Sequence, residues 1–380
     1  AGADSAAPVA GDTVRLSSGA TLVGTAVLNA SNISAGFVDI TTTPLGADGS
    51  KTLTATVTDA ANNVSDPSGA LAITIDRTAP AAPTVNPQVT NDTTPAITGT
   101  AVVGAGETLT VTVNGVTYSV GADLVRSGND WTLTVPAALP QGTYNVVATV
   151  TDAAGNASSD ATSNELVVDT TPPGTPTIAL VAGDDRVNAS EAGAGVAVVG
   201  TAEASSTVTV TWGSSQEVVT ADGAGNWSTS FSTVPADGPA TTISARAQDA
   251  AGNAGPTGSR VVEIDTVAPT ANVQSALVLD DDPGPAVGVP SGGTTDDTTP
   301  TLQLTLNELL ASGEDLRVYR DGVAVGVATS SGTTVYAYAD GPLLAGPYVY
   351  TADIVDRAGN VSTLDLDVST LALNYAITVI

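Results

Sequence analysis

Almost every side chain in this sequence that is able to do chemistry is a carboxylate. The chain carries 31 Asp and 8 Glu against ten bases, a formal net charge of -29, and it has no His, Cys or Met. Serine and cysteine nucleophiles need a neighbouring base, normally His, so triads and dyads of that kind are excluded. Lys51 is the single lysine, which allows at most one Ser-Lys dyad or Schiff base and rules out a Lys-Asn isopeptide staple in every repeat. A carboxylate pair acting as a glycosidase is chemically open. Acids that recur at equivalent positions in successive repeats do not, however, converge on one pocket, and no Gly-rich phosphate loop opens a helix. The chain is therefore expected not to be an enzyme. Two roles remain for the carboxylates: ligation of calcium, which takes six to eight oxygen ligands, and closure of turns.

Their spacing is periodic. A string of Asp, small residues and Asn recurs as VTDAANN at Asp59, VTDAAGN at Asp152, AQDAAGN at Asp249 and IVDRAGN at Asp356, at intervals of 93, 97 and 107 residues. A second string interleaves with it: DSAAP at Asp4, DRTAP at Asp76, DTTPP at Asp169 and DTVAP at Asp265. Self-similarity at a fixed period is the signature of a repeat architecture. Four modules follow: 1–76, which is short, 77–169, 170–265, and 266–380 with an early acidic insertion.

Composition and alternation define the modules. Thr, Val, Ala and Gly are abundant, and Asp outnumbers Glu, so the chain reads as all-β. Thr108 to Val120 alternates on either side of Asn114-Gly115, the mark of a hairpin. The pattern repeats around Asp321-Gly322 and, less cleanly, around Gly213. About seven short strands per module suit an immunoglobulin-like sandwich, and the chain is expected to be four of them in an elongated rod. Tyr144 and Tyr348 stand eight residues before the motif Asp, where a sandwich places a tyrosine corner. Trp131, Trp212 and Trp227 are expected in the core, with a sugar-stacking platform as the alternative.

In a seven-strand sandwich the last strand runs from the D-x-x-G-N loop to the next linker. Each linker Asp therefore faces the loop of the following module, giving the pairs Asp4 with Asp59, Asp76 with Asp152, Asp169 with Asp249, and Asp265 with Asp356. The loops between the first two strands lie at the other pole and carry Asp92, Asp184, Asp185, Asp296 and Asp297. The run Asp280, Asp281, Asp282 lies in the same region. Close carboxylates repel unless a cation bridges them, so these residues are the candidate calcium ligands. Turn closure by the same Asp and Asn side chains, without metal, stands beside that reading.

No apolar run approaches the length of a membrane span, and neither an anchor nor a signal peptide is visible. Nucleic acid is an unsuitable partner for so acidic a chain. VTDAAGN, DTTPP, TTDDTTPTL and GDDRVNASEA together resemble the bacterial Ig-like repeats of large type I-secreted surface adhesins. The resemblance implies a secreted, cell-surface stalk of tandem sandwiches with calcium near its junctions. Partners are then the neighbouring modules of the chain, and the ligand of the complete protein is not readable. The competing expectation is a self-assembling subunit of a surface layer or filament, in which the apolar tail LALNYAITVI is donated to another copy.

Overall fold

The computed structural model describes residues 7–280, 285–362 and 375–379. It divides into two units, Ala1–Thr170 and Thr171–Ile380. Among the described residues the only helices are Ala30–Ala35 and Ala189–Ala194. The rest of the regular structure is strand, as the Thr- and Val-rich composition requires.

In the first unit, residues 84–168 form a sandwich. In Thr108–Val113, Leu109, Val111 and Val113 are buried, while the three Thr between them face outward. This strand pairs with Val116–Ser119 on one side and Val146–Thr151 on the other. Asn114 and Gly115 join the hairpin with φ of 50° and 75°, the double left-handed conformation that suits a two-residue turn to twisted strands. The facing sheet runs in the order Leu124–Ser127, Asp130–Thr134, Ala96–Thr100, Thr84–Val85. It turns Ile97, Trp131 and Leu133 onto the same buried cluster. The entering chain serves both layers. Thr84–Val85 pairs antiparallel with Ala96–Thr100, and Gln88–Thr90 then pairs parallel with Leu166–Val168.

Residues 13–75 hold fewer strands than the seven expected. One sheet forms, ordered Thr21–Val27, Thr13–Ser18, Gly49–Thr58, Leu71–Ile75. Its register matches its neighbour: Val14 faces Val57 and Leu16 faces Ala55, as Leu109 faces Val150 and Val111 faces Ala148. No second sheet covers it among the described residues, so Val14 and Leu16 are half-buried where Leu109 and Val111 are closed off. The reason is local. Asn29 and Asn32 form a reciprocal capping box that starts a helix at Ala30, and the extended chain beyond it is tied to the sheet by the Thr43 amide on the Val23 carbonyl.

In the second unit, residues 177–264 and 273–379 each pack two sheets around a buried cluster. The parallel pairing recurs in both, between Arg186–Val187 and residues 263–264 and between Gly293–Thr295 and residues 377–379. Two-residue turns close the hairpins at Gly213 and at Asp321-Gly322. Tyr144 donates to the Pro140 carbonyl at 2.6 Å and Tyr348 to that of Leu344 at 2.8 Å, the return bond of a tyrosine corner.

Trp131 and Trp227 are core residues, 1% and 3% exposed, and each lies opposite a glycine in the adjacent strand, Gly99 and Gly200. A methyl group on either glycine would overlap both the indole and a backbone carbonyl, that of Thr84 or Thr177. Trp212 is fully buried and meets Phe231 edge-on at 5.6 Å. Gly99→Ala and Gly200→Ala are each expected to cost about 2–4 kcal/mol, because a backbone carbonyl cannot move aside as a flexible side chain can. Urea unfolding of the two variants measures this, and a loss below roughly 0.5 kcal/mol would contradict the packing.

Candidate functional site

The D-x-x-G-N string folds into one loop wherever it occurs. At Asp152, Oδ1 accepts the amides of Ala154 and Asn156 at 2.8 and 2.9 Å, and Oδ2 accepts Asn156 Nδ2 at 2.9 Å. The Asp152 amide returns to the Asn156 carbonyl at 3.0 Å. Asp59 and Asp356 repeat these bonds with Ala61 and Asn63 and with Ala358 and Asn360. Asp249 accepts both nitrogens of Asn253 at 2.8 Å. The fourth position is left-handed in all four, with φ of 92°, 94° and 92° at Gly155, Gly252 and Gly359. Asn62 takes that place in the first loop at φ 65°, and Asn is the residue type that best tolerates it after Gly. The Asn side-chain bond is the main cause that holds the Asp59 and Asp152 carboxyls below the usual carboxylate range.

The linker Asp residues also make turns. Asp76 Oδ1 accepts the Thr78 amide at 3.0 Å and Asp265 Oδ1 that of Val267 at 3.2 Å. The linker group that the loop reaches is the backbone carbonyl. Asn156 Nδ2 donates to the Asp76 carbonyl at 3.1 Å, and Asn360 Nδ2 to the Asp265 carbonyl at 2.7 Å. The sequence pairing of Asp76 with Asp152 and of Asp265 with Asp356 thus names the segments that meet, and the Asn amide is what joins them. Asp169 donates its own amide to the Thr90 carbonyl at 2.9 Å. Asp4 lies outside the described residues.

The other pole is built from different turns. Asp92 and Asp297 are equivalent: each Oδ1 accepts the amide and hydroxyl of the Thr two residues on, Thr94 or Thr299. Asp297 is fully buried and Asp296 is exposed. Asp280 accepts the Thr295 hydroxyl at 2.8 Å; Asp281 and Asp282 lie outside the described residues. Asp184 accepts the Arg186 amide at 2.9 Å. Asp185 is committed to a cation of the protein itself, since both its oxygens take Arg260 nitrogens at 2.5 Å. That fork lowers the Asp185 carboxyl against the opposing effect of burial and engages both of its oxygens within the protein.

Among the described residues, no three acidic side chains converge as metal ligands do. The loop carboxylates spend both oxygens on their own backbone and Asn. At Asp76 and Asp265 the second oxygen takes no partner among the described residues. The donor set suits calcium in kind, being all oxygen, but most of the six to eight ligands would have to be water or backbone carbonyl. It does not make a closed cage.

Two features escaped the sequence reading. Asp222 to Asn226, in DGAGN, is a fifth loop of the same geometry, with Asp222 accepting the Ala224 and Asn226 amides at 2.9 and 2.8 Å. The string itself was the available signal. The second is Asp340, buried with Arg320 Nη1 and the Tyr350 hydroxyl each at 2.6 Å. Burial, then the bond to Asp340, pushes the Tyr350 phenol up. No local pattern marks this trio.

Residues 83–170 match the family described as bacterial Ig-like domain. Among solved structures, the chain is similar to a Ca2+-stabilized adhesin with which an Antarctic bacterium reaches out and binds ice, at 26% identity and a TM-score of 0.34, covering 93% of this chain and 88% of that one. It is also similar to a 1.5-MDa bacterial ice-binding adhesin, at 22% identity and a TM-score of 0.30, covering 74% and 96%. Fibronectin(III)-like modules of Clostridium thermocellum CbhA match at 15% identity and a TM-score of 0.34, covering 53% and 94%. No curated protein matches. No helix among the described residues is long and apolar enough to cross a membrane.

Asp185 sits at φ 64°, a conformation that Asn also accepts, so Asp185→Asn isolates the ion pair from the backbone. The variant is expected to lose about 1–2 kcal/mol at neutral pH, since a charge-assisted pair about a quarter exposed is worth less than a dry one. The folded carboxyl titrates below its unfolded value near ~4. The contribution is therefore complete above that value and disappears as pH falls through the folded one. Thermal unfolding from neutral to acid pH should show the wild-type and variant curves converging at the acid end.

Proposed function

We propose that this chain is a non-catalytic extender segment of a bacterial cell-surface adhesin, secreted and displayed outside the cell. In this reading it comprises four modules, 1–76, 77–169, 170–265 and 266–380, whose task is to hold a binding domain at a distance. The observation that carries it is the repeated joint: twice, the Asn that closes a D-x-x-G-N loop also binds the carbonyl of the linker Asp before it. A contact that reuses one motif to dock the exit of one module on the entry of the next is what serial extension requires. The sequence supports the absence of catalysis, because no His or Cys is present and the recurrent acids close loops.

Calcium belongs to this reading as a hydrated, loosely held ion at the joints, taken by the second oxygens of Asp76 and Asp265 with neighbouring carbonyls. Its effect is then stabilisation by mass action, about 1.4 kcal/mol per site at ten times the dissociation constant. The competing reading, a self-assembling subunit, loses its donor strand. Tyr375–Val379 pairs with residues 346–350 on one side and Gly293–Thr295 on the other.

At about 40 Å per module, four modules in line span roughly 160 Å. Small-angle scattering is expected to give a maximum dimension of that order, and sedimentation a monomer. A dimension near half that value, or concentration-dependent polymer, overturns the extender reading. Millimolar calcium is expected to raise the unfolding midpoint, and a midpoint unmoved by calcium or chelator removes the ion alone.

A further inference from the structure

The two joints that lie inside the units are not equal. At the first, the loop supplies one bond, from Asn156 Nδ2 to the Asp76 carbonyl at 3.1 Å, and the linker adds an exposed ion pair, Arg77 Nε on Asp48 Oδ1 at 2.8 Å, with Arg77 Nη2 on the Gly46 carbonyl at 2.6 Å. At the second, Asn360 is 5% exposed, and both donors and the carbonyl oxygen of its amide are engaged. Nδ2 donates to Asp356 Oδ2 at 2.8 Å and to the Asp265 carbonyl at 2.7 Å, and Oδ1 accepts the Ala189 amide at 2.8 Å. The Ala189 amide belongs to the first turn of the helix Ala189–Ala194, one of the donors that a helix cannot satisfy internally. Asn188, the N-cap of that helix, returns the contact: its Oδ1 accepts the Glu191 amide while its Nδ2 donates to the Ala358 carbonyl at 3.2 Å. Gly359 lies beneath, where a Cβ would come within 3.4 Å of Asn188 Nδ2. Ala358 is 7% exposed.

We infer that the joint between residues 177–264 and 273–379 is a reciprocal amide clasp, in which Asn360 and Asn188 fix the two modules whether or not the loosely held ion is bound at Asp265, while the joint at Asn156, with one loop bond and the exposed Arg77–Asp48 ion pair, is the more pliable one. The inference rests on the extender reading for its purpose and on these bonds for its mechanism. Hydrogen bonds between buried neutral amides and backbone do not depend on a cation and are little screened by salt. The three cross-joint bonds also come from separate elements, the linker, the helix start and the D-x-x-G-N loop, so they oppose rotation as well as separation. An Asp at position 360 would lose both donors and set a second carboxylate against Asp356.

The chain has no cysteine, so pairs of spin labels can be placed in all 380 residues of it without other changes. Labels at Gln216→Cys and Val323→Cys report the clasped joint; labels at Thr21→Cys and Val116→Cys report the other. All four sites are exposed. The clasped pair is expected to give the narrower distance distribution and to keep its width in chelator. Asn360→Ala and Asn188→Asp are each expected to broaden it by about twofold or more, as a single docked state gives way to several. Asn188→Asp retains the oxygen that caps the helix and replaces the donor to Ala358 with a charged oxygen that the carbonyl repels, so it breaks that bond and its result stands even if Asn360→Ala fails to fold. Unchanged widths in Asn188→Asp, or a wild-type clasped pair that broadens in chelator, overturn the clasp. Those outcomes leave the scattering dimension and sedimentation state untouched, so failure of the clasp and failure of the extender reading are separable.

Discussion

Everything at the joints depends on one interaction, the closure of a five-residue loop by Asp and Asn. The Asp carboxylate gathers two backbone amides and one side-chain amide, which fixes the loop before any neighbouring module arrives. The Asn then has one donor left over, aimed outward by a loop that is already rigid. A flexible loop would have to be ordered on contact, at roughly 1–2 kcal/mol of backbone entropy per residue. Here that ordering has occurred within the loop itself, so a single hydrogen bond to a linker carbonyl acts from a prepared position.

The high acid content acquires a structural meaning from this. Asp is abundant because several kinds of turn in the chain use a carboxylate as the acceptor for local backbone amides. Asp59, Asp152 and Asp222 organise D-x-x-G-N loops, Asp92 and Asp297 organise the crossing of the entering chain, and Asp185 and Asp340 hold Arg260 and Arg320. Glu, one methylene longer, closes such short rings less well. Absence of cysteine is compatible with this plan because each two-layered segment has its own buried apolar cluster, centred on residues such as Trp131, Trp212 and Leu304.

The strands were legible because period-two alternation follows directly from one buried face, and the turns because Asn114-Gly115 and Asp321-Gly322 demand left-handed backbone. The fold class followed from those two signals. The joint was legible only as far as the segments it unites. Chain order placed Asp76 near the loop of Asp152, but nothing in a string of letters tells whether a carboxylate, a carbonyl or an amide makes the contact. The Arg260 partner of Asp185 was hidden for the same reason, being 75 residues away and set by sheet register. The single-layered state of residues 13–75 was announced only by the shortness of that repeat.

The parallel pairing of entering and leaving strands bears on how a module carries load. Gln88–Thr90 and Leu166–Val168 lie side by side near the two ends of one sandwich, so a pull applied at those ends slides one strand along the other. Bonds loaded in shear must yield together, whereas bonds at a hairpin end break in succession. The few rungs of that short ladder thereby act as the mechanical fuse of the domain, placed where tension enters and leaves it.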